Sequence, residues 1–166
     1  MKLGRRNLLC LAGAAMLVPG PGRAEDYIDL DWADLLPEGE TAIPEALRGL
    51  IDHDDAPLVS QQPASTGVRG DWNGQIVRLP GFIVPIEYDG TGVTAFILVP
   101  YVGACVHVPP PPANQLVFVT TQTPYEAEGL FEAVNVIGMF GVSSISTQLA
   151  DIGYALSADR IEPYRR

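Results

Sequence analysis

Asn73-Gly74-Gln75-Ile76-Val77-Arg78-Leu79-Pro80-Gly81 is the stretch that decides the fold. Apolar and β-branched residues run between glycines, and Pro80-Gly81 marks a bend or bulge, so residues 75–79 and 81–88 read as strands joined at a corner. Downstream, Asp89-Gly90-Thr91-Gly92 is a hairpin signal, because its glycines permit the positive φ of a tight reversal. Residues 93–99 then return antiparallel. Further strands are predicted at 104–108, 115–121, about 131–140 and 154–162. This spacing, with few helices, predicts a mainly β domain: a small oligonucleotide/oligosaccharide-binding-like (OB-like) barrel or a sandwich.

Upstream of Trp72 the pattern is less regular. Residues 30–36 predict a short helix with Asp31 as its N-cap, and 44–50 a second one opened by Pro44. Between them and the barrel, residues 52–67 are acidic and then rich in Gln, Pro and Ser, which reads as an extended surface loop.

The N-terminus reads as an export signal over residues 1–24. Lys2, Arg5 and Arg6 precede an apolar run from Leu8 to Val18, too short for the roughly 20 residues of a membrane span. Pro19, Gly20 and Pro21 close the run, and Gly22 and Ala24 suit cleavage before Glu25. Arg5-Arg6 fits a twin-arginine signal as well as an ordinary secretory one. The expectation is therefore a periplasmic protein whose single β-rich domain spans residues 25–166, with no stable membrane insertion after cleavage.

Loss of the signal leaves 6 basic and 20 acidic side chains, a formal charge of −14, with no lysine. Such a field repels phosphate backbones and anionic lipid, so nucleic acid is not an expected partner. Cys10 leaves with the signal, and Cys105 remains as a lone thiol in an oxidising compartment.

The chemistry-bearing segment surrounds that thiol. An extended 104–108 would put Ala104, Val106 and Val108 on one face and Cys105 with His107 on the other, as two ligands for zinc or copper. Pro109, Pro110, Pro111 and Pro112 form a rigid rod that ends the strand. Asn114 and Gln115, just past it, are placed to orient His107. His53, within Asp52-His53-Asp54-Asp55, is the first candidate for a third ligand, and Met139 a softer one whose apolar setting in Val136-Ile137-Gly138-Met139-Phe140 favours core filling instead. Two other readings of the pair stand beside the metal site: a Cys-His nucleophile, and a thiol and histidine that serve packing alone. No paired-carboxylate site, phosphate-cradling glycine loop or CxxC motif is present, so the usual catalytic classes lack support.

Three strings, RLPGFIVPIEYDG (78–90), LVPYVGACVHVPPPPANQLVFV (98–119) and LADIGYALSADRIEPY (149–164), resemble the bacterial exported family called domain of unknown function 3299. Its Gly-Ala-Cys-x-His-Val-Pro-Pro-Pro-Pro-x-Asn-Gln signature maps onto residues 103–115. The segment 134–146 departs from the Trp- and Lys-bearing strand of relatives. The resemblance implies a periplasmic accessory protein that accompanies an ABC-type envelope transporter or a metal-homeostasis system. The combined expectation is a transition-metal-binding accessory domain; the alternatives are a module docking on an ABC-type transporter subunit through its proline rod, and a thiol-dependent enzyme.

Overall fold

A computed structural model describes residues 26–40, 62–106 and 109–165. The signal, the predicted helix at 44–50, His53 and His107 lie outside these residues. The described chain comprises β1 (Ile28–Asp29), β2 (Gln75–Asp89), β3 (Gly92–Val99), a 3-10 turn (Ala113–Gln115), β4 (Val117–Tyr125), β5 (Ala133–Ser146) and β6 (Asp151–Pro163). Strands pair in the order β1-β2-β3-β4-β6-β5, and β2 also pairs with β5, which closes β2 to β6 into a five-stranded barrel. The β4–β6 pairing is parallel, whereas the other barrel pairings are antiparallel. This is the OB-like architecture expected from the sequence.

Closure depends on β2. Its first half, Gln75 to Phe82, pairs with β5, and its second half, Phe82 to Asp89, pairs with β3. The predicted pair of strands is thus one long strand that changes partner at Phe82. Pro80 and Gly81 lie inside the strand immediately before that change. A Cβ at Gly81 would fall 2.7 Å from Leu98, so only glycine lets β2 press this closely on β3. The hairpin is as expected: Asp89 faces Gly92, and Gly90 has φ 63°.

Alternation along each strand fills the barrel. Val77, Leu79, Ile83, Phe96, Leu98, Val119, Val136, Phe140, Tyr154 and Leu156 form the inner core, with Leu30 and Leu35 packed into it from the N-terminal segment. Tyr154 is fully buried against Phe140, with ring centroids 5.1 Å apart. Its hydroxyl donates to Leu35 O at 2.8 Å and accepts from Arg69 N at 2.7 Å, tying both N-terminal stretches to β6.

Two local expectations are corrected. Residues 30–36 form successive turns rather than a helix, with Asp34 N bonded to Asp31 O and Leu36 N to Ala33 O. The Asp34 side chain accepts from Asp31 N, so local carboxylate bonding competes with helix, and Leu35 and Leu36 are drawn into the interior. The predicted strand at 104–108 is a turn through Val106, with Gly103 at φ 95° and Cys105 at φ 65°. Among the described residues, no helix is long and apolar enough to cross a membrane.

The tightest backbone approach lies where β5 meets β6: a Cβ on Gly138 would sit 2.1 Å from Ser157 O. Gly138→Ala should lower the unfolding free energy by about 2 kcal/mol or more, because neither strand can move without breaking its pairing. Gly129→Ala, with nothing within 4 Å, should be near neutral in the same urea titration. Equal stability of the two variants would contradict this packing.

Candidate functional site: the Cys-Pro segment

The outward side chains of β2, β3 and β4 are apolar as well as the inward ones. Phe82, Val84, Ile86, Ile97, Val99 and Phe118 alternate with core residues and make a continuous outer face. Strand β3 is consequently buried on both sides along nearly its whole length. Ala104, Cys105, Tyr101 and Val106, from the segment that follows β3, pack in the same cluster. Leu149, Ala150 and Ile152, from the β5–β6 turn and the start of β6, join them. The face of the second and third barrel strands, here β3 and β4, on which OB barrels take their ligands is therefore covered by the chain itself.

Cys105 is 1% exposed within this cluster. Burial pushes its thiol from the ordinary 9.0 up to about 12, so at neutral pH it is protonated and a poor nucleophile. Its left-handed φ of 65° turns the side chain under the loop instead of along a strand face. The strand geometry that would display Cys105 beside His107 is thus replaced by an inward-facing thiol.

The amides read as partners of His107 have other partners. Asn114 Nδ2 donates to Gly67 O at 2.9 Å and reaches Thr66 Oγ1 at 3.4 Å. Gln115 Nε2 donates to Trp32 O at 2.8 Å and Asn114 O at 3.0 Å. Both side chains are buried, and they fasten the N-terminal segment to the barrel. The proline rod is not displayed either: Pro109, Pro110 and Pro111 are buried and Pro112 is half-buried. Its carbonyls still act, since Gln62 Nε2 donates to Pro111 O at 2.9 Å and to Asp151 O at 2.8 Å. Gln62 Oε1 accepts from Asp151 N at 2.8 Å, so one glutamine clamps the rod to the start of β6. Sequence reasoning left Gln62 in a surface loop, because one Gln among several polar residues carries no positional signal.

Among the described residues, no three His, Cys, Asp or Glu side chains come together as a metal-holding group. Met139 is exposed on β5, not in the core. Asn114 Oδ1 is buried and has no hydrogen-bond partner among the described residues. A concave feature lies at the middle of β2, where the strand changes partner: a groove of about 230 Å³ lined by Trp32, Pro80, Gly81, Phe82, Pro100, Ala133 and Tyr164. No motif in the sequence marks it, since its residues come from five separated stretches.

The inward thiol predicts slow chemistry. Iodoacetamide at pH 8 should label native Cys105 far more slowly than a free thiol and label it fully in denaturant. Because the unfolded thiol ionises before the folded one, Cys105 should cost stability as pH rises from about 9 to about 12, and the fall should be shallower in Cys105→Ala, which keeps only the share of the phenols of Tyr125 and Tyr154 that burial also pushes up. Labelling of the native protein at the rate of glutathione would contradict the burial.

Comparison with known proteins agrees with this architecture. A crystal structure of a DUF3299 family protein from Pseudomonas aeruginosa PAO1 superposes with a TM-score of 0.73 at 35% identity, over 84% of this chain and 97% of that one. No curated protein matches the chain. The profile of the family described as "Protein of unknown function (DUF3299)" matches residues 32–163, and the chain belongs to that family.

Proposed function

We propose that this protein is an exported, non-catalytic accessory domain that works by binding a partner of an envelope transport system. The observation that carries this reading is the fate of the signature segment. Its thiol is buried and neutral, and its buried amides are bonded to the backbone of neighbouring segments. A segment used in this way builds a surface rather than a reaction centre, which disfavours the thiol-enzyme alternative. The burial of Pro109 to Pro111 also moves docking away from the rod itself and onto the surface that the rod supports. Among the described residues, 15 acidic side chains face 4 basic ones, and Arg69, Arg78 and Arg160 are paired with Asp71, Asp29 and Glu162. This surplus favours a cationic partner.

Photo-crosslinking from surface positions in intact envelopes tests the reading. The expected product joins the domain to a permease or other subunit of an ABC-type transporter. Products confined to soluble hydrolytic substrates, with turnover lost in Cys105→Ser, would contradict it.

A second reading is favoured by the backbone at Cys105. A non-glycine residue held at φ 65° stores strain of about 1 kcal/mol or more, and such strain gathers at functional loops. In that reading the loop turns outward and Cys105 and His107, with His53, hold zinc or copper as thiolate and imidazole ligands. Elemental analysis of protein isolated from its native envelope without chelator should then find stoichiometric metal, absent after Cys105→Ser with His107→Ala. Unchanged metal in the double variant would eliminate these ligands.

A further inference from the structure

The groove at the middle of β2 has a chemistry of its own. Its walls are the half-buried rings of Trp32 and Phe82, the exposed ring of Tyr164, and the pyrrolidines of Pro80 and Pro100. One of these rings is held by its own hydrogen bond, and a second is carried on a fixed backbone. Trp32 Nε1 donates to Pro80 O at 2.8 Å, and the backbone of Tyr164 is fixed by its N–H to Ala133 O at 2.8 Å. Tyr164 is 47% exposed, and its hydroxyl has no partner among the described residues. The site therefore offers flat apolar surfaces, that of Trp32 fixed, and one polar tip open to solvent.

Size narrows the occupant. A helix with its side chains is about 10 Å across, whereas a groove of about 230 Å³ takes only the edge of an extended chain. Rings that stack on aromatic faces and a backbone without internal hydrogen bonds describe a polyproline II segment, which also loses little entropy on binding. Charge narrows it further. Asp31 and Glu132 adjoin the lining residues Trp32 and Ala133, Arg165 adjoins Tyr164, and over the described residues 15 acidic side chains stand against 4 basic ones. The whole chain carries a formal charge of −10.

We propose that the groove between Trp32, Phe82, Pro100 and Tyr164 docks an extended, proline-rich protein segment that carries arginine or lysine. This deepens the partner-binding reading, and rests on it, by naming the class of segment recognised. Such a segment stacks its pyrrolidines between the rings, accepts a hydrogen bond from the Tyr164 hydroxyl through a backbone carbonyl, and meets the acidic surroundings with its cationic side chains.

The chain has two tryptophans, so Trp72→Phe leaves Trp32 as the reporter. In that background, the full domain is titrated with a synthetic peptide of alternating Pro-Pro and Arg, with calorimetry in parallel in case Trp32 emission is silent. Controls replace Arg by Glu, or Pro by Gly-Ser. The expected result is saturable binding by the Pro/Arg peptide alone, weakened by added salt. Tyr164→Ala, a change at an exposed position, should raise Kd about tenfold without lowering Tm. Equal binding of the Gly-Ser control, no saturation by millimolar peptide, or an unchanged Kd in Tyr164→Ala would overturn the proposal. Sedimentation of the free protein adds one more outcome: a dimer lost in Tyr164→Ala would make a second copy of this chain the occupant instead. Envelope crosslinks that persist from other surface positions while the peptide fails would remove the groove assignment and leave the accessory-domain reading standing.

Discussion

A small barrel whose outer face is as apolar as its interior must be covered, and that constraint organises this molecule. Phe82, Val84, Ile97, Val99 and Phe118 cannot face water without losing about 1.5–3 kcal/mol for each large side chain left exposed. The chain meets the constraint with the segment following β3, which folds back over the face instead of continuing as a strand. Ala104 and Cys105 are small enough to lie flat on β3, and Gly103 and Cys105 adopt the left-handed angles that reverse the path.

The buried prolines follow from the same requirement. A backbone run over an apolar surface exposes N–H groups that need partners, and four prolines have none to satisfy. Their carbonyls still need donors, and Gln62 supplies one to Pro111. Asn114 and Gln115 then satisfy Gly67 O and Trp32 O, so the N-terminal segment is held by the end of the cover. Trp32 in turn reaches Pro80, which places its ring in the groove beside Phe82 and Tyr164. Cover, clamp and groove are consequently one connected construction around the start of β4 and the corner of β2.

Much of the barrel was legible in the sequence because its signals are local. Gly90 and Gly92 announce the β2–β3 hairpin, alternating apolar residues announce β2 and β6, and a short apolar run announces β3. The Cys105 segment misled for a physical reason. Ala104, Val106 and Val108 alternate like a strand, yet Cys105 takes a positive φ on the surface beneath it, and a cysteine does not advertise such an angle as glycine, Asn or Asp does. The outer apolar face was hidden because β3 is apolar at nearly every position, so period alone cannot separate two buried faces from one. The groove was illegible because Trp32, Pro80, Phe82, Pro100, Ala133 and Tyr164 meet only through the closure of the barrel.

Native-state hydrogen exchange resolved by residue tests most directly the claim that the signature segment is a fixed cover. The amides of Val106, Gln115 and Leu116 are bonded to Gly103 O, Pro112 O and Ala113 O. If the cover is part of the folded core, the Gln115 and Leu116 amides exchange only with global unfolding, as slowly as those of β3, and Val106 follows closely. Exchange of all three on the timescale of exposed loops, with β3 protected, would show that the segment opens freely and that the outer face is not sealed by it.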